Sequence, residues 1–307
     1  MTKVFIDGSA GTTGLRIHER LATRKDLSLI TLTEEKRKSP DARREALNQA
    51  EIAFLCLPDD AAREAVSFVE NPQTVLIDTS TAHRTNPEWV YGFPELNGYR
   101  EKIAASKRVA NPGCHASGFV ALIAPLVEAG ILSKDSLLSC FSLTGFSGGG
   151  KKMIAEYGLD NRDALLEAPR MYGLTQEHKH LKEMKALCGL ENAPAFSPIV
   201  APFYSGMEVT VPLFQSQING TKKEIEKLYT EYYQTGLVHF ISNASEDGFL
   251  SACAYRERDD MQITVVGNEE RILLVARFDN LGKGASGAAI QNMNILLGAD
   301  ESAGLNV

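Results

Sequence analysis

Lys3-Val4-Phe5-Ile6-Asp7-Gly8-Ser9-Ala10-Gly11-Thr12-Thr13-Gly14 is the stretch on which the fold of this chain turns. A short apolar run stops at glycines spaced GxxGxxG, and a helical pattern follows with Leu15, His18 and Leu21 on one face. Strand, glycine turn and helix in that order let a pyrophosphate approach backbone N–H groups at a helix N-terminus. Working outward, residues 27–32, 52–57 and 74–78 are further apolar runs, and a helical pattern over residues 60–70 separates the last two. Continuous apolar runs separated by helices predict a parallel sheet covered on both faces. Residues 1–113 therefore read as a Rossmann-type domain. Past the second run, Glu34 would suit a ribose 2′-hydroxyl, whereas Lys36, Arg37 and Lys38 would suit a 2′-phosphate. NADP is the expected cofactor over NAD.

The pattern then changes. Residues 137–143, 208–214, 261–266 and 271–279 are strand-like, and several alternate apolar with polar. Helices are expected near residues 174–187 and 222–233. Strands with few crossover helices predict an α+β second domain, residues 114–280, around a mixed or antiparallel sheet. Residues 284–297 read as a helix, and residues 281–307 are expected to complete the first domain. The fold class is thus α/β in the first part and α+β in the second.

At 307 residues the chain is long enough for two domains. Hydrophobic residues make up 44% and charged residues 23%, an ordinary globular balance that argues against disorder. A net charge of −7 without a long basic stretch argues against nucleic-acid binding. The five cysteines (Cys56, Cys114, Cys140, Cys188 and Cys253) are odd in number, scattered and without a CxxC pair. With no signal peptide before the first strand, they point to a reduced, cytoplasmic protein. The longest apolar stretch, residues 118–132, is broken by Pro125 and Glu128 and is too short to span a bilayer. No membrane association is expected.

The chemistry centres on Asn111-Pro112-Gly113-Cys114-His115. Pro112 disfavours a helical Asn111, Gly113 permits a sharp turn, and Phe119, Ile123, Leu126 and Val127 then share a helix face. Cys114 falls in the first helical turn, where unpaired N–H groups and the dipole favour thiolate. The competing reading is a small buried cysteine at a turn. Among six histidines, His178-Lys179-His180 stands out. On a helix residues i and i+2 point about 200° apart, so both rings reach one site only where the backbone is irregular. On a strand they would share a face and could hold a metal, but no further ligand of suitable spacing appears and none is expected. One of the two histidines as acid/base beside Cys114 is the better reading. His18 reads as structural, while His83, His115 and His239 carry no pattern beyond adjacency. Arg84, after the run ending at Asp78, offers a fixed fork for carboxylate or phosphate, with a surface ion pair as its plainer alternative. Ser147-Gly148-Gly149-Gly150-Lys151-Lys152 is a glycine loop with cations behind it.

Taken in order, seven segments resemble the short form of the N-acetyl-γ-glutamyl-phosphate reductases. They are residues 8–14, Asp78-Thr79-Ser80-Thr81-Ala82-His83-Arg84, Tyr91-Gly92-Phe93-Pro94-Glu95-Leu96, Asn111-Pro112-Gly113-Cys114, residues 147–152, Glu177-His178-Lys179-His180, and Gly282-Lys283-Gly284-Ala285-Ser286-Gly287. The resemblance implies a homo-oligomer, dimer or tetramer, in arginine biosynthesis. It implies that a small acyl-phosphate substrate is attacked by Cys114, that the thioester is reduced by NADPH, and that His180, or His178 as second choice, gives up a proton as the product departs. Arg84, Asn111 and Ser147 are the implied substrate contacts. The cofactor set is Gly8, Ser9, Ala10, Gly11, Thr12, Thr13, Gly14, Thr33, Lys36, Arg37, Pro58, Ser80, Gly148 and Asn280. Two departures from the pattern are Ser117 where many relatives carry threonine, and Ser205 where longer relatives carry arginine. The alternatives are an aspartate-semialdehyde dehydrogenase, an N-acetylaminoadipyl-phosphate reductase, or a non-catalytic NADP-sensing regulator.

Overall fold

An unbroken run of buried residues, Val4 to Asp7, ends β1 (Thr2–Asp7), and the glycine turn delivers the chain into α1 (Thr12–Leu21). The computed structural model describes all 307 residues. In the first unit, β2 (Leu27–Ile30), β3 (Ile52–Leu55), β4 (Val75–Asp78), β5 (Val90–Tyr91) and β6 (Arg108–Ala110) join β1 in the order β2-β1-β3-β4-β6-β5, every pair parallel. Alternation across the pleat divides the apolar side chains between two cores. Val4, Ile6, Ile52, Phe54 and Ile77 pack with Ile17 and Leu21 of α1 and with Ile290 and Met293 of the C-terminal helix. Phe5, Ala53, Leu55 and Leu76 pack with the opposite layer, which includes α2 (Pro40–Gln49) and α3 (Asp59–Ser67). α2 starts where Ser39 accepts the Ala42 N–H and Pro40 occupies the first turn. The small helix α4 (Tyr99–Ala104) follows β5.

This unit comprises Met1–Pro112 and Ala285–Leu305; the second comprises Gly113–Gly284 and Asn306–Val307. The second unit is built on α5 (Cys114–Glu128), in which 12 of 15 residues are buried. A helix apolar on all sides is a core helix. Its seven-stranded sheet contains β7 (Ser139–Gly145), β8 (Arg170–Met171), β9 (Ala195–Ala201), β10 (Met207–Phe214), β11 (Val238–Phe240), β12 (Met261–Gly267) and β13 (Arg271–Phe278). The order is β11-β12-β13-β10-β7-β9-β8, with β11–β12 and β7–β9 parallel and the other pairs antiparallel. This is the mixed sheet that the alternating strands predict. α6 (Gly150–Tyr157), α7 (Leu181–Leu187) and α8 (Lys222–Tyr232) complete it, and α9 (Gly287–Leu296) belongs to the first unit.

Two local expectations are corrected. The helix expected over residues 174–187 forms only from Leu181, because Gly173 and Gln176 take left-handed backbone angles that interrupt it. The tail helix opens with a wide π turn at Gly282–Ser286 before α9. No helix is long and apolar enough to cross a membrane. All five cysteines are free thiols.

Candidate active site

Cys114 is the first residue of α5, behind an N-cap Gly113 that offers no side chain to the N–H groups of the first turn. Those groups and the helix dipole favour a negative charge there by about 0.3–1 kcal/mol. The Cys114 side chain is half-buried. Close behind it runs the backbone of Gly284, where an added Cβ would lie 2.9 Å from the Cβ of Cys114. Only glycine fits at that approach.

Three histidines surround this helix start. The ring of His115 lies 5.7 Å from that of His178 and 5.4 Å from that of His180, and the rings of His178 and His180 are 4.8 Å apart. Residues 172–180 lie outside regular structure, so the irregular backbone brings both rings of the HxH segment to one place. The backbone N–H of His180 donates to Nδ1 of His178 at 3.3 Å. His180 caps α7, and its Nε2 stands 3.9 Å from Oε1 of Glu183 one turn on. The other oxygen of Glu183 accepts the Gly113 N–H at 3.0 Å. A carboxylate that is 2% exposed must be held by such partners, and this one joins the residue before Cys114 to His180. His115 bonds Ser142 Oγ at 2.6 Å and the Tyr172 hydroxyl at 2.7 Å. Burial first, then the charge of Cys114, pushes the Tyr172 phenol up, so it stays protonated. Glu183, Tyr172, Ser142 and His115 carried no sequence signal as site residues. No group of three or more His, Cys, Asp or Glu side chains is arranged to hold a metal ion.

The segment after β13 is held by one carboxylate. Asp279 accepts the Ser205 hydroxyl and the N–H groups of Glu257, Leu281 and Gly282. Ser205 is therefore a buried structural contact. The Asn280 amide donates to Ser147 Oγ and accepts the Gly206 N–H, each at 3.0 Å. A Cβ on Gly148 would sit 3.6 Å from that amide, so Ser147, Gly148 and Asn280 come together as one group.

The first unit contains a cavity of about 630 Å³ lined by Gly8, Ser9, Ala10, Gly11, Arg37 and Pro58 from the expected set, and by Lys38 and Arg43. Gly8 has a φ of +88°, and a Cβ there would lie 2.2 Å from the Cys56 carbonyl oxygen. The cradle is therefore open only as a glycine turn, the form a dinucleotide pyrophosphate needs. Thr12, Thr13 and Gly14 form the first turn of α1, outside the lining. The Thr33 carbonyl accepts the Lys36 and Arg37 N–H groups, and Lys36 is exposed in the short turn that follows. Arg43, which sequence reasoning missed, is buried and paired with Asp7 at 3.0 Å, a position on α2 that no motif marks. Ser80 is tied through its N–H and hydroxyl to the Asp78 carboxylate. Arg84 donates to the carbonyls of Asn111 and Thr79, at 2.9 and 3.1 Å. The Asn111 side chain donates to the Ala285 carbonyl and accepts from Asn292.

His115 has a measurable consequence for stability. Burial first, then the charges of His178 and Lys179, holds its pKa down to about 3, against an ordinary value near 6.5. Between those values the unfolded chain binds a proton that the folded one does not. Stability is therefore complete above about pH 6.5 and is lost as pH falls below it, by up to about 1.4 kcal/mol per pH unit. Burial depresses His178 in the same direction. Thermal melts should show a Tm at pH 5.5 several degrees below that at pH 7.5; equal values would contradict the neutral, buried His115.

Residues 3–106 match the family model for the NAD binding domain of semialdehyde dehydrogenase, and residues 114–280 match that for its dimerisation domain. The fold agrees with solved structures. An aspartate semialdehyde dehydrogenase II from Vibrio cholerae, complexed with ASA, superposes at a TM-score of 0.72 with 16% identity over 97% of this chain and 98% of its own. The Candida albicans enzyme with NADP does so at 0.68 and 16% identity, covering 97% and 98%. Sequence similarity is far higher elsewhere. The chain is 46% identical over 320 residues to the N-acetyl-gamma-glutamyl-phosphate reductase of Trichormus variabilis, covering 99% of each. It is 45% identical to that of Brucella ovis, covering 96% of this chain and 99% of the relative. Identity at this level along the whole chain, joined to the two domain matches, places the chain in the N-acetyl-gamma-glutamyl-phosphate reductase family of semialdehyde dehydrogenases.

Proposed function

We propose that this chain reduces N-acetyl-L-glutamyl 5-phosphate to N-acetyl-L-glutamate 5-semialdehyde with release of phosphate, a step of arginine biosynthesis. One observation carries the reading: a half-buried cysteine opens α5 while Glu183 ties its preceding residue to His180. The Cys114 thiolate attacks the acyl carbon, the carbon–oxygen bond to phosphate breaks, and a thioester to Cys114 remains. Phosphate leaves with the electron pair of that carbon–oxygen bond and takes its proton from water. Bound NADPH would supply hydride to the thioester carbon. The oxyanion that forms takes a proton from His180, with His178 as second choice, to give a thiohemiacetal on Cys114. This releases the aldehyde and regenerates the thiolate as its hydroxyl proton returns to that histidine. The family resemblance assigns Arg84, Asn111 and Ser147 to the substrate; the Arg84 fork, however, is engaged with the carbonyls of Asn111 and Thr79 within its own unit.

The cofactor reading favours NADP. Arg37 and Lys38 line the cavity beside β2, and Glu34, the acid that would suit an unphosphorylated ribose, is paired with Arg37 instead. Two cations then face the place where a 2′-phosphate belongs. For assembly we favour a homodimer through the open face of the second sheet, where Phe141, Phe214 and Leu273 are exposed although they lie on strands. The protein's setting is the cytoplasm, where five free thiols persist.

The reverse reaction tests this directly: N-acetylglutamate semialdehyde, NADP and phosphate, followed by NADPH absorbance. Phosphate-dependent signal, at least about tenfold stronger with NADP than with NAD, is the expected result; tenfold corresponds to about 1.4 kcal/mol of discrimination. Signal with aspartate semialdehyde alone would move the substrate. Silence with both alongside intact NADPH binding would favour a sensing role.

A further inference from the structure

His115 is the one histidine of the cluster that the proposed chemistry leaves without work, and it is also the most completely enclosed. One residue beyond Cys114 on α5, it points about 100° around the helix from the nucleophile and is 2% exposed. A leucine or phenylalanine would fill such a place at less cost, because a buried imidazole must satisfy both ring nitrogens. Here both are satisfied, Nδ1 by Ser142 on β7 and Nε2 by Tyr172 just past β8. A neutral imidazole carries one donor and one acceptor. The two hydroxyls therefore take opposite roles, and the Tyr172 hydroxyl cannot rotate freely.

We propose that His115 is a positioning residue of the Cys114 site: it fixes the Tyr172 hydroxyl through the Ser142–His115–Tyr172 hydrogen-bond chain and provides the surface on which His178 and His180 pack. The inference rests on the reading of Cys114 as nucleophile. Tyr172 needs such a tether. It follows an edge strand of only two residues, and its backbone is held by a single N–H bond to the Pro198 carbonyl. Its ring lies 5.8 Å from that of His178 and 6.1 Å from that of His115. Burial first, and then the charge of the Cys114 sulfur, raise its pKa and keep its hydroxyl protonated. Phe196 on β9 closes the cluster from the sheet side, 5.3 Å from His115 and 5.2 Å from His178. Two strands, α5 and the irregular segment before α7 thus meet on one imidazole.

The test compares three variants at His115. His115→Phe keeps the aromatic packing and loses both hydrogen bonds. His115→Gln places an amide where Nε2 stood and restores the Tyr172 contact, and His115→Asn reaches only Ser142. Positioning predicts a fall of about 10- to 100-fold in kcat for Phe and Asn, with most of it recovered in Gln. KM for the semialdehyde and Kd for NADPH should stay within about twofold throughout. A merely structural role predicts the reverse order, with Phe tolerated best, and that order would overturn the proposal. Should His115→Phe fail to fold, Tyr172→Phe removes a single oxygen and decides the matter. It should lower kcat by a similar factor, and adding His115→Gln to it should cost nothing further, since the two act as one unit. Wild-type kcat in Tyr172→Phe, or additive losses, would equally overturn it. The underlying reading fails separately: only retained turnover in Cys114→Ser would touch that.

Discussion

Cys114→Ser is expected to lower kcat by at least about a thousandfold while NADPH binds as in the wild type. The two shapes are nearly the same, so the effect is chemical. A serine hydroxyl at the start of α5 gains the same dipole, but about 1 kcal/mol of field cannot ionise an alcohol at neutral pH as it can help to ionise a thiol. An alkoxide ester, if formed, would also accept hydride less readily than a thioester. Cofactor affinity should be untouched because every residue lining the cavity proposed for the dinucleotide's pyrophosphate and adenosine end lies between Phe5 and Ala61. Isothermal titration with NADPH and a steady-state assay on the same preparation separate the two effects. Turnover within tenfold of wild type would remove Cys114 from the mechanism, and lost NADPH binding would undo the division of labour between the two units.

The sequence announces the first unit more clearly than the second, for a physical reason. Strands buried on both faces must be apolar throughout, so β1, β3 and β4 stand out as runs, and the glycine turn marks where the first of them ends. The second sheet is open on one face, and its short members leave too few residues for any period: β8 has two, β11 three. β9 passes unread because Pro198 interrupts it, a residue that a strand interior normally rejects. The site divides in the same way. Cys114 is legible because turn chemistry and helix start are local events within five residues. His115, Ser142, Tyr172 and Glu183 are not, because their meaning arises only when β7, β9 and β8 pair and α7 returns to Gly113, across 27 to 70 residues of chain. Even the HxH segment misleads by its pattern. Its polar, helix-forming residues suggest an early start to α7, and left-handed Gly173 and Gln176 delay that start so that both rings can face one way.

That delay also ranks the two histidines, and His180→Asn should be the more damaging substitution, lowering kcat by about 10²- to 10⁴-fold. Nδ1 of His178 accepts the His180 backbone N–H, so protonating that nitrogen would break a bond that shapes the segment. Burial, with Lys179 beside it, disfavours the cationic form of His178 further. His180 stands in the opposite situation. It is 5% exposed, and the carboxylate of Glu183 lies 3.9 Å from Nε2, ready to balance a positive charge on the ring. A proton donor must hold its proton before giving it up, and a buried imidazolium is tolerable only beside such an anion. Two kinetic readouts separate the roles. His180→Asn should abolish the basic limb of the pH–rate profile, whereas His178→Asn should lower kcat by less than about tenfold and leave that limb in place. Equal losses from both, or a larger one from His178→Asn, would hand the proton to His178. The negative charge of Glu183 would then have no imidazolium at His180 to balance, and Glu183→Gln should retain activity.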